Sequence, residues 1–132
     1  MTRPTPAGLT GEAVAEWALV RSGWVITGRQ VAIAGGHRAD LTATHPETSD
    51  EEWLVEVKVW GAAPSGKDTV KKAIADAYDL QQAGETRPYM LVLSHPLTGL
   101  LAQMITRARR AGVINDVQVI GATDWKGSDG NP

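Results

Sequence analysis

The stretch Trp53 to Trp60, WLVEVKVW, is the strongest strand signal in this chain, and it carries two opposite charges at the centre of an otherwise apolar run. In an extended strand alternate side chains share a face, so Leu54, Glu56, Lys58 and Trp60 point one way while Val55, Val57 and Val59 point the other. Leu54 and Trp60 argue against a solvated face, and taking an ion out of water costs several kcal/mol even after relaxation. A fold that buries this strand must therefore compensate Glu56 and Lys58. The preceding run, His37 to Thr44, offers the means: Ala39, Leu41 and Ala43 form its apolar face, which leaves Asp40 on the other with Arg38 and Thr42. If the two strands are neighbours, Asp40 and Glu56 converge and Lys58 stands one pleat away. Two carboxylates that close repel, and one pKa rises, unless a cation lies between them. A hard divalent ion answers that need, because Mg²⁺ takes few carboxylate oxygens, keeps several waters and is commonly shared with a substrate phosphate. A lysine beside it positions an attacking water or stabilises charge growing on phosphorus. The plainer alternatives are a cross-strand salt bridge for Glu56 and Lys58, and for Asp40 a buried acid paired with Arg38 or Lys58.

The rest of the chain reads as alternating helices and strands. Ala13, Val14, Trp17, Ala18 and Val20 recur at helical spacing over Thr10 to Arg21, with Thr10 as N-cap and Ser22-Gly23 as the stop. Two antiparallel strands, Trp24 to Ile33 and His37 to Thr44, flank the Gly35-Gly36 turn. His45 to Glu52 holds Pro46 and the acids Glu47, Asp50, Glu51 and Glu52, and reads as a solvated loop. Gly61 to Gly66 reads as a loop on its Pro64 and glycines, before a helix over Asp68 to Ala83 with Val70, Ala73, Ile74, Ala77 and Leu80 in register. Tyr89 to Ser94 is a continuous apolar strand of the kind covered on both faces. A helix over Leu97 to Ala111 and a short strand over Val117 to Gly121 follow. The order αβββαβαβ predicts an α/β fold, a sheet with helices on its faces, in one domain over residues 1–125, with 126–132 a disordered tail.

With 132 residues, 42% hydrophobic and 21% charged, the chain has the composition of one globular core. It has no cysteine, which excludes disulfides, a thiolate zinc site and a cysteine nucleophile. No run has the length of a membrane span and the start lacks a signal-peptide layout, so a cytoplasmic location without a membrane partner is expected. The net charge of -2 gives no bulk attraction to nucleic acid. Yet setting aside Asp40, Glu56, Glu12 and the acids Glu47, Asp50, Glu51 and Glu52 leaves 8 acids against 13 basic residues. The remainder is basic, which fits modest affinity for a duplex aided by a metal, a second subunit or a partner.

Asp40, then Glu56-Val57-Lys58 on the next strand, after a helix bearing Glu12, resembles the PD-(D/E)xK nuclease superfamily. The prefix Gly8-Leu9-Thr10-Gly11-Glu12, then Ala15, Leu19, Gly23-Trp24, Ile26 and Arg29-Gln30, is similar to small bacterial predicted endonucleases patterned G-x-x-G-E…G-E-I-D-L…F-V-E-V-K, themselves related to archaeal Holliday-junction resolvases. The likeness runs from Gly8 to about Leu80. It implies a restriction-endonuclease-like αβββαβ core, a central mixed sheet flanked by helices with an extra C-terminal helix and short strand. It implies a Mg²⁺- or Mn²⁺-dependent nuclease leaving a 5′-phosphate and a 3′-hydroxyl. Asp40, Glu56 and the Val57 carbonyl would ligate the metal, Lys58 would be the catalytic lysine, and Glu12 would reach the metal. The implied partner is nucleic acid, with DNA expected, and the implied assembly a homodimer or a subunit of a larger complex in repair, recombination or defence. The chain departs from the pattern at His37-Arg38-Ala39, which replaces its Gly-Glu, at Trp60, which replaces a basic residue, and at Tyr78 and Gln82, which reverse a Gln-x-x-x-Tyr order.

Alternatives stay open at several positions. A non-catalytic nucleic-acid-binding or assembly subunit keeping the nuclease fold competes with the enzyme. Glu12 in a first helical turn also complements the helix dipole, and Glu16, one turn on, takes its place if the register differs. Lys71 and Lys72 contact phosphates or serve solubility. Arg107, Arg109 and Arg110 suit the end of their helix and are also candidate backbone contacts.

Overall fold

A computed structural model describes residues 11–47, 49–58 and 63–120. Among the described residues the elements run α1 (Gly11–Arg21), β1 (Val25–Ala32), a 3-10 turn (Ala34–Gly36), β2 (Arg38–His45), β3 (Ser49–Lys58), α2 (Ala63–Gln82), β4 (Tyr89–Leu93), α3 (Gly99–Arg110) and β5 (Asp116–Val119). The architecture is α/β, with a five-stranded mixed sheet in the order β1-β2-β3-β4-β5. The first three strands are antiparallel neighbours, and β3, β4 and β5 run parallel.

The alternation in WLVEVKVW builds the two sides of the sheet. Val55 and Val57 join Leu41, Ala43, Met90 and Val92 under α1, whose Val14, Ala15 and Leu19 pack on them. Leu54 joins Leu91, Leu93 and Tyr89 on the opposite face, covered by Val70, Ala73, Ile74, Ala77 and Leu80 of α2 and by Ile105 and Ala108 of α3. Two crossovers stepping the same way across a sheet place their helices on one side when they share a hand, which accounts for α2 and α3 together. All five residues of β4 are buried, as its unbroken apolar run requires of a strand covered on both faces.

Three expectations change. The acidic segment is not a solvated loop: His45 pairs with Ser49 across a turn at Pro46 and Glu47, so Asp50, Glu51 and Glu52 belong to β3. Acids are poor strand formers, and Glu52 is held there by Thr27 and Arg87. The helix expected from Asp68 begins at Ala63, because Pro64 in a first helical turn loses no needed hydrogen bond. Ala39 does not stay with Leu41 and Ala43 but packs in the α2-side cluster. Thr10, Val59, Trp60 and the tail from 126 lie outside the described residues.

Candidate active site

The change of face at Ala39 has a local cause. The backbone ladder between β2 and β3 ends with Leu41 opposite Val55. One step further, the Asp40 carboxylate replaces the backbone as acceptor: Oδ2 takes the Val57 N–H at 2.7 Å. A strand residue's N–H and C=O point to the same edge, so the Val57 carbonyl also faces the gap where β2 leaves. The neighbouring residue points the other way, and the Lys58 carbonyl accepts the Ser94 N–H at 3.1 Å on the β4 side. By register, Asp40 lies across from Gln30 of β1, which has φ of 51°. A non-glycine residue in that left-handed region is uncommon and costs on the order of 1–3 kcal/mol. The Gln30 side chain donates to Glu12 Oε1 at 2.9 Å.

Glu56 and Lys58, on the same pleat of β3, form an ion pair at 3.0 Å, and their side chains keep only 16% and 19% exposure. Burial raises the Glu56 carboxyl above the ordinary carboxylate range, and repulsion from Asp40 adds to it; the hydrogen bond and charge of Lys58 oppose the rise without cancelling it. A smaller contribution comes from Asp76 of α2, which sequence patterning missed. Asp76 lines a cleft of about 30 Å³ with Glu56, Arg38, Ala39 and Tyr89, and holds Lys72 at 3.1 Å one helical turn away. The buried Tyr89 phenol is pushed up by desolvation and then by the charges of Glu56, Asp76 and Asp40. The only sequence trace of Asp76 is its place on the flank of an amphipathic helix following the strand that bears Glu56.

The arrangement thus brings together Asp40, Glu56, Val57 and Lys58, and adds Asp76. Glu12 instead sits on Gln30, and Glu16 binds Arg29 at 2.8 Å. Lys71 and Lys72 part company, since successive helical residues are about 100° apart: only Lys72 shares the flank of Asp76. Arg109 lies 4.0 Å from Asp116, which pairs with Met90 at the start of β4, so the arginines ending α3 sit at the opposite end of the sheet from Lys58, whose partner is Leu93. His37 binds Asp79 at 2.6 Å.

The Asp40 and Glu56 carboxylates and the Val57 carbonyl are oxygen donors, the kind a hard cation takes, with the Lys58 ammonium beside them. Among the described residues no three His, Asp or Glu side chains form a metal-holding cluster. A divalent ion would rest on the Asp40 and Glu56 carboxylates, the Val57 carbonyl and water, a set that fits Mg²⁺ or Mn²⁺, which need few protein ligands.

A second charged cluster occupies the other end of the same face of β3. Glu52 accepts from the Thr27 hydroxyl at 2.7 Å and from Arg87 at 3.0 Å, and Arg87 also binds Glu85 at 2.9 Å. Thr27 lies 2.9 Å from the buried Thr42 hydroxyl. A Cβ on Gly28 would meet Thr42 Oγ1 at 2.8 Å, so glycine is what lets this network close. The Thr27 bond, with help from Arg87, lowers the Glu52 carboxyl, and Arg87 holds Glu85 down to about 2.

Among the described residues no helix is long and apolar enough to cross a membrane. No protein-family model, curated protein or solved structure matches the chain.

Proposed function

We propose that this chain is a metal-dependent nuclease of the PD-(D/E)xK type, with a restriction-endonuclease-like core, hydrolysing phosphodiester bonds of nucleic acid, with DNA as the expected polymer. The observation that carries the reading is the Asp40 carboxylate at the β2–β3 gap, beside a half-buried Glu56 whose carboxyl is raised and a Lys58 on the same pleat. Raised carboxyls next to a like charge in a cleft are a signature of functional sites.

Asp40, Glu56 and the Val57 carbonyl would hold Mg²⁺ or Mn²⁺. When bound, the ion supplies positive charge at the phosphate and lowers the pKa of a coordinated water. With Glu56 engaged elsewhere, the Lys58 ammonium is free to orient the attacking water and to stabilise charge developing on phosphorus. The Val57 N–H fixes Asp40, so this carboxylate is preorganised before substrate arrives. The cleft excludes most solvent from Glu56. Glu12 is hydrogen-bonded to the strained Gln30 and would contribute from the α1 side only on leaving that partner.

The test is a cleavage panel of single-stranded, duplex and branched DNA and of RNA, with Mg²⁺ or Mn²⁺. Cleavage lost in Asp40→Ala and Lys58→Ala with the fold intact is the expected result; full activity in both variants overturns the mechanism. One observation favours a second reading: Lys58 is already paired with Glu56, as in a closed structural salt bridge. Inactivity of the wild-type chain on every substrate would support this non-catalytic binding or assembly subunit.

A further inference from the structure

Arg38, the first residue of β2, lines the same cleft as Glu56 and Asp76. It is exposed, and among the described residues its guanidinium makes no hydrogen bond or ion pair. Among the described residues, Lys58 is tied to Glu56 at 3.0 Å and Lys72 to Asp76 at 3.1 Å, and the His37 ring is hydrogen-bonded to Asp79 at 2.6 Å. A volume of about 30 Å³ holds a water or an ion but not a nucleotide, so a polymer must lie across the mouth. There the carboxylates Asp40, Glu56 and Asp76 outnumber the paired Lys58 and Lys72, and a phosphodiester arriving without further positive charge is repelled.

Resting on the nuclease reading above, we infer that Arg38 contacts a backbone phosphate of the nucleic acid and seats the strand over the cleft. The guanidinium presents a planar fork of donors matched to two phosphate oxygens. Such a contact positions the polymer without reading its sequence, so it adds affinity and salt dependence uniformly. In the pattern this chain resembles, the residue two before the aspartate is glutamate; arginine there reverses the charge at the mouth, which makes Arg38 a feature of this chain and not of that pattern.

The experiment is binding of a labelled DNA duplex by fluorescence anisotropy, with Ca²⁺ replacing Mg²⁺ so that binding is read without cleavage, over about 50–200 mM salt. Arg38→Gln should reduce the magnitude of the slope of log K against log salt by about 0.9 and weaken binding roughly fivefold at 0.15 M salt, as expected for one lost phosphate contact. Arg38→Lys keeps the charge and should restore the slope. Unchanged slope and affinity in Arg38→Gln, alongside binding by the wild-type chain, overturns the role of Arg38 alone. Absence of salt-dependent binding by the wild-type chain to duplex, branched or single-stranded DNA or to RNA overturns both this role and the nuclease reading. A shared thermal midpoint for the three chains establishes that they are equally folded.

Discussion

Glu52 and Glu56 lie four residues apart on β3 and face the same side of the sheet, yet their carboxyl groups move in opposite directions. Glu52 is held down by the Thr27 hydroxyl and by Arg87, a cation it shares with Glu85. Glu56 has one cation, Lys58, against its own burial and the neighbouring Asp40. The first cluster is satisfied by the chain itself. The second is left under-neutralised where β2 and β3 part, and an added cation would complete it. Position on a strand therefore says less about a charged residue's role than the balance of partners around it.

The largest expected difference between the clusters is in activity. Asp40→Ala and Lys58→Ala should each lower the cleavage rate at least about a hundredfold, the scale of losing one preorganised electrostatic group. Arg87→Met, at the other end of the face, should keep that rate in the folded protein. Equal losses at both ends, measured as initial rates on one substrate, would erase the distinction.

Stability should show the reverse. Arg87→Met strands Glu52 and Glu85 and should cost on the order of 2 kcal/mol by denaturant unfolding at neutral pH; breaking a fully buried pair costs more, but Arg87 is partly exposed. The pH dependence follows from the shifts. Glu85 is held at about 2 against an ordinary 4.5, so its contribution is complete above pH 4.5 and is lost as pH falls towards 2. Glu85→Gln should flatten that acid limb, and an unchanged limb would show that Arg87 does not act through Glu85.

Glu56 has the opposite sign. Its folded pKa is raised, so the unfolded chain releases the proton first and the folded state loses stability as pH rises above 4.5. Glu56→Gln should therefore remove this loss of stability above pH 4.5 while abolishing cleavage. Destabilisation by this change would return Glu56 and Lys58 to a structural ion pair. The smallest effect is expected from Glu12→Gln, a few tenths of a kcal/mol for an acid near a helix N-terminus, with cleavage lowered less than that caused by Asp40→Ala.

Much of this is legible in the sequence. The period of two in WLVEVKVW set Leu54, Glu56 and Lys58 on one face, and the apolar run of Tyr89 to Leu93 marked a strand covered on both sides. What escaped was long-range pairing. Asp50 to Glu52 read as loop because of Pro46 and the run of acids, and Glu52 is held by Thr27 and Arg87, 25 and 35 residues away. Asp76 was invisible because nothing in its helix reveals that its flank faces Glu56. Ala39 was placed on the wrong face because regular alternation assumes a continuous ladder, and the Asp40 side chain interrupts it. The candidate ligands themselves were readable because two acids and a lysine in apolar strands conflict with burial.

The claim that this conflict is resolved by a divalent cation is tested most directly by calorimetric titration of Mn²⁺ into the wild-type chain, Asp40→Ala and Glu56→Gln near neutral pH. The account predicts saturable binding to the wild-type chain that is lost in both variants. Binding that survives both changes, or a wild-type chain that takes up no ion, would contradict it.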